Sequence, residues 1–426
     1  MDVGVVSFIL FVVAMAAILY FKRSQIEFQG IIAISRTKKL RSNIYNLGEK
    51  YKRFWGIYFN IGIIAGIVVM IIGTLYMLSV TIDVFSGISS PAFGLVIPYP
   101  TSEISYNSGF LMVPPWLWII AIPILLIPHE LSHGLALAAN KLRIKSLGLL
   151  ALLIIPGAFV EPDEKQLKKA SKKQKLQVYC AGSFSNIVTG IIFILMTHLV
   201  LASFYAPAGI YYDLPYDKIN GSNVIGNSTL ENGITVLQTE NATYLTTQKI
   251  LDLQQNMTEI FVFEDLPAAR NNISGTLKRI GNSEINSPEA LRAALLKYKP
   301  GDTVEVETSN RTYNVTLADK NGTADLGVTP LEPTSLIKIL APQNVMPYEV
   351  KDKNLNPILN FILQVINFTI AVCIGVAIFN MLPLKPFDGG AVLETLTNSK
   401  IANISSILMG LLLLVNLGWA FLGAFF

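Results

Sequence analysis

The sequence predicts a polytopic α-helical membrane protein of about six transmembrane helices, with a membrane-associated β element and an inserted α+β domain. Three observations carry this. Of the 426 residues, 52% are apolar and only 15% are charged, where a soluble domain has about 25% charged. Six apolar stretches come close to the roughly 20 residues a helix needs to cross a bilayer. One long polar segment, 206–354, interrupts them. Such a chain is neither disordered nor an ordinary soluble protein. The net charge of +4 is modest and its bases are clustered, which fits membrane orientation and no nucleic-acid partner. Two cysteines, Cys180 and Cys373, are too few for a disulfide framework or a four-thiolate site.

The first expected span is Val3–Phe21. It lacks a basic start and a small-residue cleavage site, so it reads as a retained helix rather than a removed signal. The others cover 55–79, 116–139, 178–204, 357–382 and 401–426. Nine Lys and Arg residues lie in 22–53, nine more in 141–175, and none in 55–140. Short basic loops stay in the cytosol. The N-terminus, 82–114 and 206–354 are therefore expected outside, and 22–54 and 140–177 inside. The organisation that follows is 1–114, two helices with a basic cytosolic loop; 115–205, a first core part; 206–354, an extracytosolic domain; and 355–426, a second core part.

Residues 147–160, LGLLALLIIPGAFV, form an apolar run of 14 between basic flanks that both belong in the cytosol. This suits a re-entrant or interfacial element turning at Pro156 and Gly157. One reading is a hairpin lying on the membrane surface. The sharper one is an edge strand lining a cavity, where protein or water meets its backbone groups. The segment 206–354 has strand-like runs such as TVEVET and TYNVTL, and a short helix at 288–297. It also carries Asn-x-Ser/Thr patterns at Asn220, Asn227, Asn241, Asn256, Asn272, Asn310, Asn314 and Asn321. Each marks a glycosylation acceptor on an exported face, or chance in a stretch rich in Asn and Thr.

The third span contains His129-Glu130-Leu131-Ser132-His133. Two histidines four residues apart share a helix face and can reach one metal ion, with the glutamate between them placed to act on an attacking water. The chain has three histidines in all, so this spacing around a Glu has chance odds on the order of one in a thousand. A packed polar patch between helices is the bland alternative. An ionisable residue inside a span, as Glu130 is, marks function by default. His133 lies eight residues before Lys141, about 12 Å along a helix from the cytosolic boundary. Two imidazoles leave a catalytic zinc site one protein ligand short. His198 stands far up the fourth span and reads as a packed or hydrogen-bonded structural residue. Asp388 is the better third ligand, in Asn380-Met381-Leu382-Pro383-Leu384-Lys385-Pro386-Phe387-Asp388-Gly389, whose prolines and glycine break the helix and let it fold back. Alone, Asp388 also suits a helix cap.

Together these residues resemble the site-2 protease family of intramembrane zinc metalloproteases, in an archaeal-type cell membrane. The resemblance rests on HELSH and on the late motif of Asn380, Pro383, Pro386, Asp388 and Gly389. Further similarity lies in PGAFVEPDE at 156–164 and in Ala181-Gly182-Ser183-Phe184-Ser185-Asn186. Ser183 stands where the family usually has Pro, and Phe387 where it usually has Leu. The outer domain looks like a PDZ module, over 266–269 and 275–308, with Gly233 and Ile234 as a candidate start of a peptide-binding edge.

The resemblance implies one Zn²⁺ held by His129, His133 and Asp388. Glu130 would be the acid–base group, and Asn380 and Asn186 would hold the scissile carbonyl or the oxyanion. Each Asn could instead meet backbone groups freed near a helix break. The expected reaction is hydrolysis of a peptide bond in or near a transmembrane segment of a membrane-protein substrate, in the lipid bilayer. The scissile segment would unwind and add as a strand to 147–160. The outer domain would bind a peptide ligand or act as a size filter. Two alternatives stand beside this: a membrane metalloprotease acting on soluble or membrane-surface substrates, and a non-enzymatic zinc-dependent membrane sensor.

Overall fold

The computed structural model describes residues 3–21, 26–30, 32–86, 95–107, 109–152, 155–254, 258–331 and 347–422. The chain divides into two compact units. Met1–Leu195 with Asn360–Phe426 form the first, and Met196–Leu359 forms the second.

In the first unit the apolar runs are helices, because backbone in lipid must bond within its own segment. They are α1 (Val3–Phe21), α3 (Lys52–Phe85), α4 (Pro115–Ala139), α6 (Lys172–Phe204), α10 (Asn356–Asn380) and α12 (Ser399–Leu422); α6 and α10 continue into the second unit. Among the described residues, five helices are long and apolar enough to cross a membrane. The first expected span, α1, is a continuous helix of 19 residues with no charged side chain, close to the length a bilayer requires. The expected basic connection at 22–54 has structure of its own. It holds the hairpin β1 (Ile26–Gln29) and β2 (Ile32–Thr37), then α2 (Arg41–Lys50). The segment between α3 and α4 carries β3 (Leu95–Pro98), β4 (Ser105–Asn107) and β5 (Phe110–Val113), in the order β3-β5-β4.

The described residues of the apolar run, 147–152 and 155–160, are extended. They supply most of β6 (Ile144–Leu152) and β7 (Ile155–Pro162). These join the N-terminal hairpin in one antiparallel sheet of order β1-β2-β6-β7, with Ile34 opposite Leu150 and Leu147 opposite Val160. Only part of the run is therefore an edge. β6 is paired on both sides, and among the described residues β7 is open on its outer side. Asp163 then caps α5 (Glu164–Lys169), accepting from the Lys165 and Gln166 amides. The core beneath the sheet joins Phe59 of α3, Leu135 and Leu137 of α4, Ile144 of β6, and Val178 and Ala181 of α6. A second cluster packs Leu117, Ala121 and Leu125 of α4 against Phe368 and Cys373 of α10.

The second unit is α+β. β8 (Tyr205–Pro207) pairs with β22 (Tyr348–Val350), and β9 (Tyr212–Asp213) with β21 (Thr329–Pro330). A five-stranded sheet contains β10 (Tyr216–Asn220), β11 (Gly226–Thr229), β12 (Ile234–Gln238), β13 (Thr243–Thr247) and β14 (Glu259–Glu264), in the order β10-β14-β13-β12-β11. α7 (Gln248–Leu253) lies between β13 and β14, and α8 (Pro267–Arg270) follows. The four-stranded sheet is β16-β15-β17-β18, from β15 (Leu277–Ile280), β16 (Ser283–Glu284), β17 (Thr303–Thr308) and β18 (Thr312–Thr316). α9 (Pro288–Leu295) packs Leu291 and Ala294 onto Ile280, Val304 and Val306. β19 (Ala318–Lys320) and β20 (Thr323–Asp325) form a last hairpin. The strand that begins at Gly233 and Ile234, expected to offer a free edge, is β12. It lies between β11 and β13 and has none.

Candidate metal centre

Pro115 opens α4 at a position where its missing N–H costs nothing, while Pro123 and Pro128 lie within the helix. Pro128 removes one helical hydrogen bond directly before His129. The next turn brings His129 and His133 to one face, with Nε2 atoms 3.3 Å apart. The third group comes from the far end of the chain. After Asn380 ends α10, residues 381–387 turn and α11 (Asp388–Leu396) begins. Asp388 Oδ2 lies 3.4 Å from His133 Nε2 and 4.0 Å from His129 Nε2. Gly389 lets this happen: a Cβ there would overlap the Met381 and Leu382 carbonyls. The loop is tied to α12. The Lys385 amide donates to Ser406 Oγ at 3.0 Å, and Ser405 Oγ donates to the Pro383 carbonyl at 3.2 Å. Lys385 Nζ is 2.6 Å from the Glu394 carboxylate.

One placement of the protons lets this cluster hold a cation. His133 Nδ1 donates to the Val178 carbonyl at 2.8 Å, so the neutral ring turns a lone pair on Nε2 toward Asp388. His129 Nδ1 lies 3.0 Å from the side-chain amide of Asn186, which is fully buried in α6. A ligating His129 carries its proton on Nδ1, and the amide oxygen, otherwise buried without a partner, then accepts it. In those tautomers two nitrogen lone pairs and a carboxylate oxygen converge, a donor set that a cation could occupy. The three donor atoms fall within 4.8 Å of one another. Ligands at about 2.0–2.1 Å around a tetrahedral ion sit roughly 3.3 Å apart, as the two closer pairs here do. Gly182 of α6 supplies the wall: a Cβ there would overlap Nε2 of both histidines. The donor set and the cradle fit a zinc ion with three protein ligands.

Around this cluster lies a cavity of about 290 Å³, lined among others by Glu130, Phe159, Val160, Tyr179 and Asn380. Asn380 Nδ2 is 3.4 Å from His129 Nε2, on the metal-facing side. Asn186 lies on the opposite side of the ring, and α6 runs unbroken past it, so no helix break explains its presence. His198 is also on α6 and is not part of the cluster. A larger cavity of about 1520 Å³ shares Glu130, Phe159 and Val160 with the first. Arg36, Lys38, Lys39, Arg41, Arg143 and Lys145 line it, against Glu27, Glu130 and Glu161.

β7 packs against α4, and its Val160 backbone hydrogen-bonds Glu130. Pro156 and Pro162 sit in this strand at one parity. Proline is tolerated where the amide position faces an open edge. Ala158 and Val160 share that parity, so their N–H groups also face the open edge. Sequence reasoning passed over Gly182 and the Val178 carbonyl. Gly182 was visible only as part of a motif, and a backbone acceptor leaves no mark in side-chain identity.

The sequence profile of Peptidase family M50 matches residues 117–416, from the start of α4 to near the end of α12. Over 192 residues the chain is 34% identical to the uncharacterized protein MJ0971 of Methanocaldococcus jannaschii, covering 44% of this chain and 48% of that one. Over 148 residues it is 28% identical to a membrane-bound transcription factor site-2 protease homolog of Arabidopsis thaliana, covering 34% of this chain and 27% of that one. The matched part spans about half the length of the archaeal relative and about a quarter of the plant one.

Proposed function

The chain belongs to peptidase family M50, and from that premise we propose that it is an intramembrane zinc metalloprotease of the site-2 type. It would cut membrane-protein substrates in or near their transmembrane segments. The observation that carries this is the convergence of His129, His133 and Asp388 on one point of a buried helix, with Glu130 in the same chamber.

His129, His133 and Asp388 would hold the zinc. When bound, zinc supplies Lewis acidity, making an attacking water acidic near neutral pH and polarising the scissile carbonyl. Glu130 takes the proton from that water and returns it to the leaving amine. Asn380, on the metal-facing side of His129, donates its amide to the carbonyl oxygen as negative charge develops. Asn186 reaches the other ring nitrogen, and its role is to hold the His129 ring in its ligating tautomer. The Val178 carbonyl does the same for His133.

A substrate helix hides its carbonyls in hydrogen bonds and must unwind to be cut. The open edge of β7 takes the unwound segment as an added strand, meeting its freed backbone groups with the Ala158 amide. The bases of 22–53 and 141–175 then face the cytosol, the second unit faces outward, and the site lies nearer the cytosolic face. Residues 266–308 keep a PDZ-like reading in which the unit screens substrates by size and takes no peptide at β12.

Glu130→Gln and Asp388→Ala test the assignment. The first should keep zinc and lose cleavage of a membrane-tethered substrate by at least about 100-fold. The second should lose zinc. Stoichiometric zinc in Asp388→Ala, or wild-type cleavage by Glu130→Gln, would overturn it. A second reading, cleavage of soluble or surface substrates, draws on the large basic cavity that reaches Glu130. Mapping the cut by mass spectrometry separates the two.

A further inference from the structure

Half of the asparagines in the second unit stand in the acceptor pattern Asn-x-Ser/Thr. Met196–Leu359 holds 16 asparagines, and 24 of its 164 residues are serine or threonine. Composition alone would put a hydroxyl residue two positions on for about two of them. Eight have one. Seven of these eight are among the described residues, and all seven asparagines are solvent-exposed.

Their placement follows the sheets. The five inner strands, β12, β13, β14, β15 and β17, contain no asparagine. Three of the seven acceptor sites lie on edge strands: Asn220 ends β10, Asn227 is in β11 and Asn314 is in β18. The other four fall between strands.

An open edge is a template for pairing with another chain, and proteins blunt it with charge, proline, a bulge or brevity. β10 has Asp217 and Lys218, both exposed. β16 is only two residues long. The opposite edges have no such device. β11 reads GNST and β18 reads TYNVT, with no charge and no proline. Each instead carries an exposed acceptor asparagine, and Asn314 alternates with buried Tyr313 and Val315.

We propose that Asn227 and Asn314 are N-glycosylated, and that their glycans shield the two otherwise unprotected sheet edges of this unit. The donor is a saccharide linked through phosphate to a polyprenyl carrier in the membrane. The side-chain nitrogen attacks the anomeric carbon, and a C–N bond forms as the C–O bond to phosphate breaks. The electron pair leaves with the phosphate, and an amide proton passes to a base of the transferase. The modification places the segment 206–354 on the exported side. It is independent of what the metal centre does.

Glycopeptide mass spectrometry of the full chain, purified from membranes of the cells in which it is native, tests this. Peptides containing Asn227 and Asn314 should carry at least one hexose. Thr229→Ala and Thr316→Ala, which keep the asparagines, should each abolish the increment at its own site, while Thr229→Ser and Thr316→Ser should keep it. Recovery of both peptides only unmodified overturns the proposal. The shielding is read from Asn227→Gln with Asn314→Gln, which should raise the self-associated fraction in detergent at least threefold over the serine variants. An unchanged fraction overturns the shielding role.

Discussion

Replacing Asn186 by Leu tests how the metal centre is oriented. The side chain is fully buried in α6 and meets His129 Nδ1 at 3.0 Å. Leucine keeps its approximate volume and removes the polar partner. Without the Asn186 amide the ring can rotate or change tautomer, and its Nε2 lone pair is less firmly fixed on the ion. Loss of such an outer partner lowers metal affinity about 10- to 100-fold, or about 1.4–2.7 kcal/mol. Competition with a chromophoric chelator in detergent measures this directly. Asn186→Asp supplies a stronger acceptor and should bind zinc at least as tightly as the parent. Zinc affinity within twofold of the parent in Asn186→Leu, with cleavage down by about 100-fold, would refute the orienting role and return Asn186 to the substrate carbonyl.

Three further outcomes follow from the geometry. Ala158→Pro removes one open-edge N–H from β7 at the parity of Pro156 and Pro162. It should slow cleavage about 5- to 10-fold, the value of one hydrogen bond, at full zinc content; an unchanged rate counts against strand addition. Gly182→Ala places a methyl against both imidazoles, so zinc content measured by atomic emission should fall below half an ion per chain, and full occupancy would show the cradle is misread. Hydrogen bonds from Lys145, then Ser146, hold the Glu161 carboxyl below the usual carboxylate range. A depressed folded value stabilises above the ordinary value of 4.5 and is lost as pH falls through the folded one. Thermal melts from pH 6 to 3 should therefore drop less steeply for Glu161→Gln than for the parent, and parallel curves would remove this contribution.

The site was more legible in sequence than the sheet beside it. A metal-binding helix announces itself locally, since His129 and His133 are one turn apart and no other part of the chain is needed to see it. Asp388 was reachable because zinc needs a third ligand and because helix breakers surround it. The strands were harder. Residues 147–160 are apolar at nearly every position, so the alternation that marks a half-buried strand is absent, and length alone argued against a spanning helix. Pairing between β2 and β6 joins residues more than 100 positions apart, and no local pattern records such a partner. In 22–54 the density of Lys and Arg drew attention to orientation and away from the short runs IEFQ and IAISRT. Three strands of the five-stranded sheet, β12, β13 and β14, occupy what sequence showed only as a long insert after Gly233.

Because β6 is hydrogen-bonded to β2 on one side and β7 on the other, the opening stretch of the chain is built into the wall of the chamber that holds Glu130. Tension on the N-terminal hairpin would be carried sideways, strand to strand, to the very backbone that meets the carboxylate. A version of this protein trimmed of its first forty residues would keep every reactive group and still have to find β6 a new neighbour.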